Sequence, residues 1–424
     1  MRSPVASLVV AVAISIGSRA AEAQSTLVIH NVRVFDGEHM LDRRDVLVSN
    51  GVISQVSASR LTVPRGATVV DGTGRTLLPG LIDSHVHLSD SAAADLRQAL
   101  SFGVTTVLDM WSAGPRYEAI KSLRSADALD MAALRTAGIG ATVPGGHPTQ
   151  MGGPPSPTIS DFANADAFVS ARIAEGSDYI KIVFDDLAGL GRPLPMMDRR
   201  TLIGLVNAAH KHGKRVVVHV GTEAQARTAV EAGADGLAHL FAAPSVGSDF
   251  ADVVARHGAF VVPTLTIMYA LCGQPSGAAV IGDSLLAPFV RPAYRTRMTI
   301  PWKQTAASCD GTNEAIRAMA ARGVPVLAGT DSPAPGATYG ASLHGEMELL
   351  VRAGLTPTQA LMAATSAPAR AFGLDDRGRI APGLRADLLL VEGDPTADIL
   401  HTRHIVKIWK RGVEAKRLRK REEG

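Results

Sequence analysis

The stretch Pro79-Gly-Leu-Ile-Asp-Ser-His-Val-His-Leu88 reads as an apolar strand that delivers two imidazoles, His85 and His87, to one place. Residues two apart on a strand share a face, so both rings can reach one metal ion while Val86 packs on the opposite side. Two histidines are a ligand pair and not yet a site. The remaining ligands have to come from elsewhere in the chain.

Apolar, strand-like runs recur at 105–110, 133–139, 179–184, 215–220, 236–241, 260–267 and 324–329, and with 78–88 they make eight. Alanine-rich helical segments such as 200–211 and 222–232 separate them. Strands alternating with helices imply right-handed βαβ units, and eight such units predict an α/β fold of the closed (β/α)8 barrel type over 77–373. An open doubly wound sheet is the competing topology, but no glycine-rich phosphate fingerprint follows the first strand here. Two stretches break the alternation: 143–161 is rich in Gly and Pro, and 271–310 is a long insertion before the last strand. Long loops of this kind in compact domains are commonly functional lids or disordered links.

The two ends have a different texture. Short alternating strands at 27–35, 45–49, 52–56 and 68–70 are punctuated by the Asp36-Gly37 and Asn50-Gly51 turns, and similar runs appear at 386–391 and 404–410. Chain termini often lie close together, so 24–76 and 374–415 are expected to build one small β-sandwich domain.

Chemistry in such a barrel sits at the carboxyl ends of the strands. The first run ends in His85 and His87, the fourth carries Lys181, the fifth His219, the sixth His239, and the eighth ends Ala328-Gly-Thr-Asp331. In Tyr179-Ile-Lys-Ile-Val-Phe184 the residues Ile180, Ile182 and Phe184 share the face that meets the helices, which turns Lys181 inward. An unpaired inward ammonium is expensive, and a salt bridge to Asp185 or Asp186 is the plain way to offset that cost. Asp83 and Asp109 read as supports of strand ends, and His210 and His212 as surface residues at a helix C-terminus.

The chain has 424 residues, 46% of them hydrophobic and 20% charged, which is ordinary for a globular enzyme and far from the signature of disorder. Aromatics are only 4% and the net charge is +3, part of it in the basic tail 416–424, so nucleic-acid binding is not expected. Arg2, the apolar run 5–17 and Ala21-Glu-Ala23 have the layout of a cleavable secretory signal covering 1–23. That run is shorter than the roughly 20 residues a bilayer span needs, so export to the periplasm or medium without a stable membrane anchor is expected. In an oxidising compartment Cys272 and Cys309 can close one loop, although their spacing alone leaves the pairing open.

Taken in order, these motifs resemble the amidohydrolase superfamily, and within it the imidazolonepropionase-like and metal-dependent dipeptidase-like members of the Xaa-Pro dipeptidase type. The resemblance spans almost the whole mature chain and rests on Pro79-Gly-Leu-Ile-Asp-Ser-His-Val-His87, Gly145-Gly-His147, Asp178-Tyr-Ile-Lys181, Val218-His219, Ala238-His239, Ala328-Gly-Thr-Asp331 and Gly383-Leu-Arg-Ala-Asp-Leu388. It implies two divalent ions, of the zinc type. His85, His87 and Asp331 would hold one and His219 and His239 the other, with an N6-carboxylated Lys181 and a hydroxide bridging them. Asp331 would shuttle the proton and His147 would hydrogen-bond the substrate carbonyl, cleaving an amide bond in a small molecule such as an N-acyl amino acid or dipeptide. Departures at Phe184-Asp-Asp186 and His219-Val-Gly-Thr-Glu223 touch the substrate pocket rather than the ligands. Arg192, Arg291 and Arg295 lie on loops within possible reach of a substrate carboxylate. A mononuclear cyclic amide or lactone hydrolase using His85, His87, His219 and Asp331, and a metal-binding protein without turnover, are the competing readings. Self-association into a homo-oligomer is left open.

Overall fold

The computed structural model describes residues 26–152, 155–300, 306 and 308–417; the signal-like segment 1–23 and the basic tail beyond Arg417 lie outside the described residues. Among the described residues, fifteen strands and the helices between them make an α/β fold. The strands of the N-terminal end are β1 (Leu27–Phe35), β2 (Met40–Ser49), β3 (Val52–Ser57), β4 (Thr68–Asp71) and β5 (Arg75–Pro79). Between the ends run β6 (Leu81–Val86), β7 (Val104–Asp109), β8 (Ala133–Thr136), β9 (Ile180–Val183), β10 (Val216–His219), β11 (Gly236–Ala238) and β12 (Phe260–Val262). The chain closes with β13 (Leu388–Glu392), β14 (Ile405–Lys410) and β15 (Val413–Glu414).

Hydrogen bonds join the terminal strands into one eight-stranded sheet of order β15-β14-β13-β5-β1-β2-β3, with β4 paired to β1. Its core of Leu27, Ile29, Val32, Val34, Val46, Val48, Ile53, Leu77, Leu388, Leu390 and Trp409 is separate from the rest of the hydrophobic interior. The run 78–88 splits at Gly80: β5 belongs to this sheet and β6 to the next region. A Cβ at Gly80 would lie 2.2 Å from Thr105 Oγ1, so only glycine lets the chain pass between the two sheets there.

The central strands are all parallel, β6-β7-β8 in one sheet and β9-β10-β11-β12 in another. Isolated parallel bridges connect them: Ala141 to Ile182, Val261 to Val326, and Val86 to Ser332. The run 324–329 carries no strand, because Pro325 has no N–H to give to a ladder; its carbonyl accepts from Val261 at 2.9 Å and Leu327 N donates back to Val261 at 2.8 Å. Gly329 then lets this run approach the first strand, since a Cβ there would stand 2.9 Å from His85 Cβ. The run 260–267 is strand only to Val262; Pro263 follows, and Leu265–Leu271 is helix.

The period-two alternation is visible in the packing. Ile180, Ile182, Phe184, Val216 and Val218 belong to the large core shared with helical residues such as Leu202, Leu205 and Ala226. Tyr179, Val217, Ala238, Val262 and Leu327 form a separate cluster on the opposite face of the strands. At roughly 1.5–3 kcal/mol for each buried Val or Ile, the outer face alone suffices to orient every strand. That orientation aims Lys181 away from the helices. Among the described residues no helix is long and apolar enough to cross a membrane.

Candidate metal centre

Six of the strand-end residues named from the sequence come together. His85 closes β6 and His87 follows it; their Nε2 atoms are 3.3 Å apart, and Asp331 Oδ1 lies 3.3 Å from the first and 3.1 Å from the second. His239, just past β11, has its ring centroid 4.7 Å from that of His85 and 4.5 Å from that of His219 at the end of β10. His85, His239 and Asp331 each place one donor atom within 4.8 Å of the others. His147, on the loop after β8, stacks obliquely on His219 with centroids 5.0 Å apart. Lys181 is buried in the middle of β9, and its Nζ has no hydrogen-bond partner among the described residues.

The electrostatics follow from this crowding. Burial, with the Lys181 ammonium adding to it, holds the His85 imidazole down at about 3, and burial together with its neighbour His219 does the same to His147. Both rings are neutral at pH 7, the form that offers a lone pair. Burial by itself would raise Asp331, but the His85, His87 and His239 rings around it hold the carboxyl well below the usual range. Burial pulls the Lys181 amine down to about 7, against the opposing pull of Asp331 and Asp109.

Tautomers are set from outside the cluster. Gln150 Nε2 donates to His147 Nδ1 at 2.8 Å, which leaves the His147 proton on Nε2. His219 Nε2 donates to Asp185 Oδ2 at 3.2 Å, which leaves Nδ1 free as a donor of electrons. Asp185 can stand there because Gly221 has no side chain; a Cβ would meet its Oδ2 at 2.6 Å. Asp83 accepts from Thr330 Oγ1, Thr330 N and His85 N, and Asp109 accepts from Thr136 Oγ1, Ser112 Oγ and Leu88 N, so both tie strand ends together.

Part of the chain's backbone strain lies at the same place. His239 (φ 71°) and Asp331 (φ 55°) occupy the left-handed region although neither is glycine, and each such residue costs on the order of 1–3 kcal/mol. Both amides are tied down: Asp331 N donates to His85 O at 2.8 Å and His239 N to Val262 O at 2.9 Å.

Some expectations fall away. Asp185 pairs with His219 and Asp186 accepts from Ala188 N and Gln225 Nε2, so neither is a salt-bridge partner of Lys181. Arg295 is turned to its own loop, donating to Val290 O and Ala287 O, and Arg291 lies over the Tyr294 ring at 5.9 Å. Of the three arginines only Arg192 remains exposed on a loop after β9. Cys272 and Cys309 are bonded, closing the base of the long insertion. Asp185, two residues past β9, meets not Lys181 but His219, 34 positions later in the chain.

The donor set suits a divalent ion: neutral imidazoles, an ionised carboxylate and an amine that lacks any other partner, all converging from successive strand ends. Comparison with known proteins agrees with that chemistry. The family model described as "Amidohydrolase family" matches residues 76–416. Adenine deaminase 2 of Desulfotalea psychrophila is 26% identical over 93% of this chain, which spans only 58% of that protein's length. An imidazolonepropionase of Cereibacter sphaeroides is 27% identical over 88% of this chain and 95% of its own. A solved Xaa-Pro dipeptidase with methionine bound in its active site shares the fold, at 22% identity and a TM-score of 0.74 over 92% of this chain and all of that one (100%). The chain therefore belongs to the amidohydrolase family, whose related members are hydrolases acting on carbon–nitrogen bonds.

Proposed function

We propose that this protein is an exported amidohydrolase that binds two divalent ions and cleaves an amide bond in a small molecule such as an N-acyl amino acid or dipeptide. The observation that carries the reading is Lys181: a buried amine without a partner, on the strand between two groups of ligands, one made of His85, His87 and Asp331 and the other of His219 and His239. Addition of CO2 to its neutral Nζ, with loss of one proton, would make a carbamate and so replace an unpaired amine with an anionic oxygen ligand. Imidazole and carboxylate donors of this kind suit zinc.

Bound divalent ions would supply Lewis acidity, polarising the scissile carbonyl and lowering the pKa of water to near neutrality. The rest of the chemistry belongs to the chain. Asp331, ionised and aimed between His85 and His87, takes the proton of the attacking water and delivers it to the leaving nitrogen. His147, with its proton on Nε2, donates to the carbonyl oxygen as negative charge develops there. The apolar strand faces keep bulk water from the lysine side of the pocket.

The three parallel isolated bridges support a closed (β/α)8 barrel over 77–373, because they join the two parallel sheets to each other, Val326 to β12 and Ser332 to β6. The separate core of the terminal strands supports an accessory β domain of 24–76 with 374–415. The Cys272–Cys309 bond fits an oxidising compartment such as the periplasm.

Metal analysis of the purified protein reconstituted with and without bicarbonate tests the reading. We expect two ions per chain, bicarbonate-dependent loading, and loss of at least one ion together with amide turnover in Lys181→Ala. One ion per chain with an active Lys181→Ala would replace it with a mononuclear hydrolase.

A further inference from the structure

His239 is held by a chain of contacts that leads out of the pocket to a helix far away in sequence. Its Nδ1 lies 2.7 Å from Thr264 Oγ1. The Thr264 hydroxyl donates to Pro263 O at 2.8 Å, so the oxygen has only a lone pair left to offer and must accept the Nδ1 proton. His239 Nε2 is thereby left unprotonated, the tautomer an ion requires.

Thr264 stands just past β12, in the left-handed region at φ 49°, although it is β-branched. A β-branched residue there is a genuine outlier and persists only where its surroundings over-determine it. The surroundings are supplied by Glu346, fully buried on the helix Ala341–Ala353. Its Oε1 accepts from Leu265 N at 2.7 Å, and its Oε2 accepts from Thr266 N and Thr266 Oγ1, both at 2.8 Å. Three bonds to one carboxylate pin the two residues that follow Thr264 and so fix the turn that presents its hydroxyl. A buried carboxylate with no such purpose would be costly to retain.

We propose that Glu346 and Thr264 are positioning residues that set the tautomer and aim of His239 and thereby the affinity of the ion position it shares with His219. The inference rests on the reading of His239 as an ion ligand, but half of its test does not need an ion.

Thr264→Val keeps the branching and volume and removes only the oxygen, Thr264→Ser restores it, and Glu346→Gln keeps the shape while replacing one acceptor oxygen with a donor. The first measurement is the 15N shift of the His239 ring in metal-free protein, assigned by its disappearance in His239→Gln. We expect the Nδ1-protonated form in wild type and in Thr264→Ser, and its loss in Thr264→Val. The second is zinc occupancy against a competing chelator. Thr264→Val and Glu346→Gln should weaken one of the two ions by about 10–100-fold, with Thr264→Ser close to wild type and the melting temperature of metal-free Thr264→Val little changed. Wild-type tautomer and zinc affinity in Thr264→Val, or a Thr264→Ser that behaves like Thr264→Val, would overturn the proposal. A wild-type protein that binds no ion through His239 while showing the expected tautomer shift would instead overturn the two-ion reading and leave the positioning contact standing.

Discussion

Each of the two regions of this protein buries a lysine, and their surroundings are opposite. Lys410, on β14 of the terminal sheet, donates to Ala128 O and Met131 O at 2.7 Å each and pairs with Asp127 Oδ1 at 2.9 Å. Lys181, on β9 of the parallel region, is nearly as deeply buried and has no hydrogen-bond partner among the described residues. A buried ammonium costs several kcal/mol unless it is paired and hydrogen-bonded. Lys410 meets that requirement and ties the two regions together, as structural lysines do. Lys181 does not meet it, and the groups that interact with its charge include His85, His239 and Asp331. This difference is the observation on which the proposed chemical role of Lys181 rests.

The largest effect that would sharpen this contrast lies beside Lys181. Asp331→Asn should reduce amide hydrolysis by about 10²–10⁴-fold, because an amide cannot take the water's proton; near-normal kcat in a variant with full metal content would remove Asp331 from that role. The contrast itself is tested by one substitution at both lysines. Lys410→Met leaves three acceptors without their donor and should lower the unfolding free energy by about 1–3 kcal/mol with kcat/KM unchanged. Lys181→Met relieves an unpaired charge and should leave the metal-free protein as stable as wild type or more stable, by up to about 1–3 kcal/mol. Urea unfolding of both in chelator reads the two signs, and equal losses would erase the distinction. The smallest effect expected is at Asp185. Asp185→Asn keeps an oxygen for His219 but removes the charge, so metal affinity should fall by about 10-fold, measured by competition with a chelator.

The legibility of the site varied with the distance over which its geometry is decided. His85, His87 and Lys181 were readable because strand periodicity is a property of neighbouring residues: Ile180 and Ile182 in the outer core leave Lys181 no other direction. Asp185 lies four residues after Lys181, yet its partner is not legible there, since its approach to His219 depends on Gly221, just past β10, having no side chain. The eighth run was recognised as apolar, yet Pro325 reduces it to isolated bridges. The arginines on the insertion could be counted but not aimed; the fold turns Arg295 to its own backbone.

By itself the sequence determined that this chain alternates strands with helices, carries a different, β-rich texture at its ends, and places histidines and an aspartate at the carboxyl ends of its strands, because these are consequences of local periodicity and of where polar residues interrupt apolar runs. Only the tertiary structure decided that Cys272 meets Cys309, that Asp185 belongs to His219 rather than to Lys181, and that Glu346, 80 positions from Thr266, holds the turn behind His239. Such pairings are chosen by which helices and loops pack together in space, and no periodicity along the chain encodes them.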